Sequence, residues 1–95
     1  MPEATRGQVL YRLRHYSDAV LAFERMAARP VWADRYHAAC LAQLGRHAEA
    51  RAKAAEVLRR QPCLTLRRYA VVEPFMLQAD IDHLIDGMRK AELPN

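Results

Sequence analysis

The stretch AACLAQLGRHAEARAKAAEVLRRQP, residues 38–62, decides the fold of this chain. Two alanine-rich runs lie on either side of Gly45, and Pro62 closes the second run. Alanine favours helix, a glycine just after a helix can take the left-handed conformation that ends it, and a proline cannot continue one. The stretch therefore predicts a helical hairpin, with one helix over residues 32–44 and the other over residues 48–60.

Both helices of this hairpin carry apolar residues at helical spacing. In residues 32–44 the predicted buried side chains are Tyr36, Ala39, Cys40 and Leu44. In residues 48–60 they are Ala50, Ala54, Val57 and Leu58. Short side chains let packed helices approach each other closely, so the repeated alanines predict a hairpin that stacks on another one.

Two helices are predicted before this hairpin. Residues 7–14 carry Val9, Leu10 and Leu13 on one face. Residues 18–28 predict a second helix, which Pro30 ends. The inward-facing residues of that second helix are Ala19, Val20, Phe23, Met26 and Ala27. The N-terminal third of the chain therefore predicts another hairpin.

Two more helices are predicted after Pro62. Thr65 can cap a short helix that runs to Val72. Residues 79–91 predict an amphipathic helix. Its apolar face consists of Ile81, Leu84, Ile85 and Met88. Gly87 lies inside this helix and is expected to weaken it by roughly 1 kcal/mol relative to alanine.

An internal repeat relates the two hairpins. The aligned residues are Ala19 with Ala50, Phe23 with Ala54, Met26 with Val57, and Pro30 with Pro62, where the second unit has an extra residue before its proline. In the preceding helices the aligned residues are Gly7 with Ala38, Leu10 with Leu41, Leu13 with Leu44, and Arg14 with Gly45. Apart from the prolines, all these pairs share the offset between Ala19 and Ala50. A period near thirty with two helices per unit is typical of helical repeat arrays.

These residues resemble the tetratricopeptide repeat. The matching positions are Gly7 and Ala38 in the first helices, Gly45 at the turn, and Ala19 with Phe23 for the A-x3-F element. Arg14 replaces the turn glycine in the first unit, and the early Trp and Leu of the family have no match. The resemblance covers residues 5–62. It implies an all-α fold, a right-handed stack of antiparallel helix pairs.

Residues 63–92 are interpreted as a divergent third helix pair that caps the array, because the end of an array needs a polar outer face. The chain is thus expected to be one domain, 1–95, with repeats at 5–30 and 31–62. The segments LTLRRYAVVEPF and LIDGMRKAELP are similar to the C-terminal ends of certain bacterial proteins. In those proteins such repeats follow a class III adenylate or guanylate cyclase domain, or a transcriptional-regulator domain.

Composition and charge indicate which classes of partner and which cellular compartment are expected for the protein. The net charge of +4 suits an acidic peptide, nucleic acid or anionic lipid, but it also fits an Arg-rich solvated surface. The candidate nucleic-acid surface is formed by Arg59, Arg60, Arg67 and Arg68 beside Tyr69. No nucleic-acid motif accompanies it, so nucleic-acid binding is not the preferred hypothesis. No apolar run suits a signal peptide or a membrane span, and a cytoplasmic protein is expected.

No catalytic or metal site is predicted. His37 and Cys40 share a helix face, but zinc would need further ligands beside them. Cys40 and Cys63 lack metal-binding spacing, and a disulfide is not expected in a cytoplasmic protein. Ser17 and Thr65 suit helix capping better than nucleophilic catalysis. The sequence therefore indicates a protein that is not an enzyme and has no cofactor.

The resemblance implies that the first helix of each pair lines a concave groove. The predicted groove residues are Gln8, Tyr11, Arg12, Trp32, Arg35 and Gln43, with Ala39 between them. Arginine pairs with carboxylates, while Tyr and Trp supply contact area. The preferred hypothesis is a scaffold that binds a protein or an acidic peptide. For Tyr11 and Trp32 the alternative remains that they only pack between helices.

Two other functions stay open at this stage. The chain could be the accessory or regulatory segment of a bacterial cyclase or transcriptional regulator, acting within a larger protein. It could also form a homodimer or larger oligomer through apolar surface on its incomplete first unit.

Overall fold

The computed structural model describes residues 3–26, 30–66 and 78–93, and all regular secondary structure in these ranges is α-helical. The helices are α1 (Glu3–Arg12), α2 (Tyr16–Glu24), α3 (Val31–Gln43), α4 (His47–Arg60) and α5 (Gln78–Lys90). The prediction of an all-α fold is confirmed. The short helix predicted over residues 65–72 lies outside the described residues except for its first two.

Helix α3 is at the centre of the molecule. α1 packs on α2 and α3 packs on α4, so the first four helices form two hairpins. α2 and α1 both pack against α3 as well, and α5 covers α3 from another side. The buried residues of α3 are Ala33, Asp34, Tyr36, His37, Ala38, Ala39, Cys40, Leu41 and Ala42. A helix that is apolar around most of its circumference is buried by several neighbours, and the alanines of α3 make that possible.

Three of the helices end in the same type of turn. After α3, Gly45 has φ 79°, its N–H donates to the Ala42 carbonyl, and the Arg46 N–H donates to the Leu41 carbonyl. This is the Schellman arrangement, which satisfies carbonyls left unpaired at a helix C-terminus. The same pair of bonds recurs after α1, around Arg14 at φ 63°, and after α5, around Glu92 at φ 67°.

The first two of these turns repeat each other at the offset seen in the sequence, since Arg14 and Gly45 are aligned there. Arg14 donates its N–H to the Tyr11 carbonyl at 2.9 Å, as Gly45 does to Ala42 at 3.0 Å. The backbone at His15 and Arg46, just before α2 and α4, is also alike, with φ/ψ of −90°/66° and −83°/64°. These two turns therefore have the same backbone conformation, in which Arg14 takes the place of the turn glycine.

Arg14→Gly is expected to stabilise the protein by about 0.5 to 1 kcal/mol. A non-glycine residue at positive φ costs roughly 1–2 kcal/mol, part of which is offset by the greater freedom of glycine in the unfolded chain. Urea unfolding would measure the change. The matched control is Ala52→Gly, at an exposed position inside α4, which should lose about 1 kcal/mol. Equal losses in both variants would contradict the prediction.

The predicted core agrees with the buried residues in α2, α3, α4 and α5, with a few exceptions. Ala27 lies outside the described residues, while Met26, Leu44, Leu58 and Ile85 are only partly buried. The largest difference is in α1 and the turn after it, where Val9 and Leu13 are 36% and 59% exposed. Within residues 5–12 of α1 the buried residues are instead Gly7 and Tyr11, because that side of α1 faces α2, α3 and α5.

Gly7 and Ala38 have the role expected of small residues at helix crossings. A Cβ atom added at Gly7 would lie 2.6 Å from the Cζ atom of Phe23, and Ala38 is fully buried. Phe23 in turn stacks on His37, with ring centroids 5.7 Å apart. The two hairpins therefore meet around the Phe23 ring.

A buried carboxylate joins the start of α3 to the end of α4. The side chain of Asp34 is 1% exposed, and Nη1 of Arg60 donates to its Oδ2 at 2.5 Å. Each charge suits its helix end, because an acidic group is favoured at an N-terminus and a basic group at a C-terminus. Arg60, which the sequence grouped with a candidate nucleic-acid surface, is thus held by the fold. Arg67 and Arg68 of that surface lie outside the described residues.

Candidate functional site

Helix α5 lies on the surface that the sequence predicted to be a groove. We define the helix groove as the surface of Tyr11 and Arg12 on α1 with Ala39 and Gln43 on α3. Tyr11 is only 1% exposed. Its hydroxyl donates to the backbone carbonyl of His83 at 2.7 Å, and its ring stacks on the His83 ring with centroids 4.3 Å apart. Tyr11 therefore packs between helices, as in the alternative that the sequence left open, because α5 buries it.

The edges of the helix groove contact α5 through polar side chains. Gln43 donates from Nε2 to Oδ2 of Asp86 at 3.3 Å and accepts at Oε1 from Lys90 at 2.9 Å. The same Nε2 lies 3.4 Å from the Tyr11 hydroxyl. Nε of Arg12 lies 3.8 Å from Oδ2 of Asp80. The Lys90 ammonium beside Asp86 lowers the pKa of that carboxyl, and the Gln43 hydrogen bond acts in the same direction.

Gly87 is the point of closest approach between α5 and the groove. A Cβ atom at this position would lie 2.7 Å from the Cβ of Ala39 and would collide with the Tyr11 hydroxyl oxygen. The sequence presented Gly87 only as a weak position in an amphipathic helix. The structure gives it a packing role, since any side chain here would push α5 away from α3.

His83 connects α5 to both helices of the first hairpin. Its Nε2 lies 2.7 Å from the hydroxyl of Tyr16, whose oxygen also accepts from Nη1 of Arg14 at 3.4 Å. In a neutral His83 with its proton on Nδ1, Nε2 accepts the hydroxyl proton of Tyr16, and in the other tautomer Nε2 is the donor. Burial lowers the pKa of His83, and the positive charge of Arg14 lowers it further. The acidic groups Asp86 and Asp80 act against this shift, and Lys90 adds to it.

Stability should fall below about pH 6.5, the ordinary pKa of histidine, because of His83. The folded-state pKa of His83 is lowered, so neutral His83 stabilises the fold above pH 6.5, and this contribution is lost as the pH falls. The free energy of unfolding would be measured at pH 7.5 and 5.5 in the wild type and in His83→Gln. We expect a larger acid-induced loss in the wild type. Identical losses would show that His83 is not the titrating group.

Two of the other predicted groove residues, Gln8 and Trp32, contact Tyr36. Gln8 donates from Nε2 to the Tyr36 hydroxyl at 3.1 Å. The half-buried Trp32 ring meets the Tyr36 ring edge-on, with centroids 6.1 Å apart. Arg35 is half-buried on the same helix. The predicted site is therefore divided into Tyr11, Arg12 and Gln43 under α5, and Gln8 and Trp32 at Tyr36.

The residues considered for other chemistry lie apart from the helix groove. Cys40 is buried, which raises the pKa of its thiol, whereas Cys63 is exposed, and the two are not joined by a disulfide. In the described ranges no group of three or more His, Cys, Asp or Glu side chains could hold a metal ion. Among the same residues, no helix has both the length and the apolar character needed to cross a lipid bilayer.

Sequence reasoning missed the residues of α5 that fill the groove, chiefly His83 and Gly87. One signal was available, because small residues at Gly87 and Ala39 allow two helices to cross closely. That argument was applied to the alanines of residues 38–62 and to Gly7, but not to Gly87. Neither a protein-family model nor any curated protein or solved structure matches this chain.

Proposed function

We propose that this chain is a non-catalytic protein-interaction module that binds a peptide segment of a partner protein in the helix groove. The supporting observation is that the groove already holds a helix, α5. Tyr11 and Ala39 contact its centre, while Arg12 and Gln43 contact its edges. A surface that is complementary to one helix is suited to receive another of similar chemistry.

A tetratricopeptide-like arrangement is part of this proposal. It is supported by two hairpins whose turns, at Arg14 and Gly45, repeat at the offset of the sequence alignment, and by the close crossing at Gly7. In such an array the first helices of successive pairs lie side by side, and α1 and α3 do contact each other. The shared surface of α1 and α3 is then the expected place for a partner.

The partner segment should carry acidic residues. Arg12 is 42% exposed and lies beside a carboxylate of α5, and the half-buried Arg35 lies on the other groove helix. Arginine binds carboxylates through its fixed set of N–H donors. The net charge of +4 favours an acidic partner through long-range attraction as well.

The test is retention of proteins from a lysate of the source cell on the immobilised chain, after nuclease treatment and at moderate salt. We expect retention by the wild type and by the control Arg59→Glu, which changes an exposed arginine on α4. Retention should be lost in the double variant Arg12→Glu with Arg35→Glu. Unchanged retention by a folded double variant would contradict the groove assignment. Loss of retention with nuclease would indicate nucleic acid instead.

Homo-oligomerisation is a second candidate function, favoured by three exposed apolar side chains on the first hairpin. Val9 on α1, Leu13 in the turn after α1 and Leu21 on α2 are 36%, 59% and 51% exposed. Val9 aligns with Cys40, which is fully buried in α3. The corresponding position of α1 therefore lacks the cover that α3 has.

Sedimentation over a range of concentrations tests this second candidate. A mass that rises with concentration in the wild type, and stays monomeric in Leu13→Glu with Leu21→Glu, would support it. A monomer at every concentration would exclude it.

A further inference from the structure

We propose that α5 is an internal competitor for the helix groove, and that the partner segment is an amphipathic helix with the chemistry of α5. This inference rests on the proposed function and specifies the partner. Such a helix would carry a glycine where it crosses α3 and apolar residues on either side of that glycine. It would also carry a carboxylate two turns before it.

The pattern follows from what α5 presents to the groove. Gly87 allows the helix backbone to approach Ala39, and the buried Leu84 and Met88 flank this crossing. Asp80, seven residues before Gly87, reaches Arg12. Asp80, Leu84 and Met88 follow one another at intervals of four residues, and Leu84 and Asp80 precede Gly87 by three and seven residues. Such spacings place residues on one side of a helix.

The polar contacts between α5 and the groove are exposed, so the docking of α5 depends on the buried face around Gly87. The side chains of Arg12 and Asp80 are 42% and 27% exposed, and those of Asp86 and Lys90, which bond to Gln43, are 53% and 50% exposed. Ion pairs between exposed side chains contribute little, because water and salt screen them. An open cleft of about 230 Å³ also lies between α4 and the last turn of α5, lined chiefly by Ala54, Ala55, Leu58 and Ala91.

An internal competitor has a measurable consequence. Because α5 belongs to the same chain, its effective concentration at the groove is high, and a free helix binds weakly while α5 is docked. The apparent dissociation constant is the intrinsic one divided by the fraction of molecules with an open groove. A change that undocks α5 without altering α1 or α3 should therefore increase the affinity for a free helix.

The probe is a fluorescent synthetic peptide with the sequence of residues 78–93, titrated with full-length chain. Gly87→Leu in the chain places a side chain against Ala39 and undocks α5. We expect this variant to bind the wild-type peptide at least tenfold more tightly than the wild-type chain does. The same substitution in the peptide should abolish binding. A folded Gly87→Leu chain that binds no more tightly than the wild type would overturn the inference.

Circular dichroism would show whether Gly87→Leu still folds into helices. If it does not, a second variant, Asp80→Lys, can be used for the same test. Asp80→Lys places a positive charge beside Arg12 and weakens α5 without adding bulk to the core. We expect an increase in peptide affinity that is smaller than for Gly87→Leu and is reduced by salt. No increase in a folded Asp80→Lys chain would also overturn the inference.

The two proposals fail in different ways. Suppose that lysate proteins are retained through Arg12 and Arg35 but the undocked variants do not bind the peptide. This result would overturn the proposal that α5 is a competitor, while the proposed interaction module would stand. Peptide binding by the undocked variants, with no protein retained from lysate, would overturn the interaction module but leave a groove that accepts α5.

Discussion

Gly87→Ala is expected to lower the free energy of unfolding by about 2 kcal/mol, although alanine is the better helix former. Overpacking a well-packed core costs up to about 3 kcal/mol, and the gain in helix propensity returns about 1 kcal/mol. The upper end of that range applies because the added Cβ meets two neighbours at once. Ala39 has no side-chain freedom with which to yield, and Tyr11 is held by its hydrogen bond to the His83 carbonyl.

Urea unfolding of Gly87→Ala, followed by circular dichroism, would measure this loss. Arg89→Ala is the matched control, because Arg89 is exposed in the last turn of the same helix, and its stability should change by less than about 0.5 kcal/mol. A gain in stability on Gly87→Ala would mean that propensity alone governs this position. It would also contradict the close contact between Gly87 and Ala39, on which the description of the helix groove depends.

Arg60→Ala is expected to cost about 2 kcal/mol of stability, because it breaks an ion pair with a buried partner. The Asp34 carboxylate is 1% exposed, and it would lose the charged donor that lies 2.5 Å away. Breaking a fully buried ion pair costs about 3–5 kcal/mol, and the value is reduced here because the Arg60 side chain is 38% exposed. After the substitution, water can therefore replace part of the hydrogen bonding that the Arg60 guanidinium provides to the Asp34 carboxylate.

The control for Arg60→Ala is its neighbour in sequence. Arg59 is exposed in the same last turn of α4, so Arg59→Ala should change stability by less than about 0.5 kcal/mol. Thermal and urea unfolding of the two variants would be compared directly. Equal effects would show that Arg60 acts through the charge of the helix end and not through Asp34.

The two hairpins were predictable because their signals are local. Gly45 and Pro62 mark the ends of α3 and α4, and a turn is determined by residues that are neighbours in sequence. The alignment paired Arg14 with Gly45 and treated Arg14 as a departure from the turn glycine, and both residues have positive φ. Predicted helix bounds differ from those observed by a few residues, as is normal where helix ends are set by hydrogen bonds within one turn.

The docking of α5 was not predictable in the same way. Its apolar periodicity identified Leu84 and Met88 as inward-facing but did not say which helix they would face. The bond from Tyr11 to His83 joins residues 72 apart, and no periodic pattern within a single helix reports such a distance. Tyr11 was therefore assigned to a groove, but α5, the helix that fills this groove, was not identified. Gln43 and Arg12 were assigned to one surface, but the residues of α5 that contact them there, Asp86 and Asp80, were not identified.

The separation of 72 residues between Tyr11 and His83 also has a consequence for protein synthesis. A ribosome adds about 5–20 residues per second, so roughly 4 to 14 seconds pass between the synthesis of these two residues. Helices α1 to α4 are complete by residue 60, before any residue of α5 has been added. During translation, Tyr11 and Gln43 are thus without the helix that later covers them. A partner present at the ribosome would meet this surface before its competitor exists.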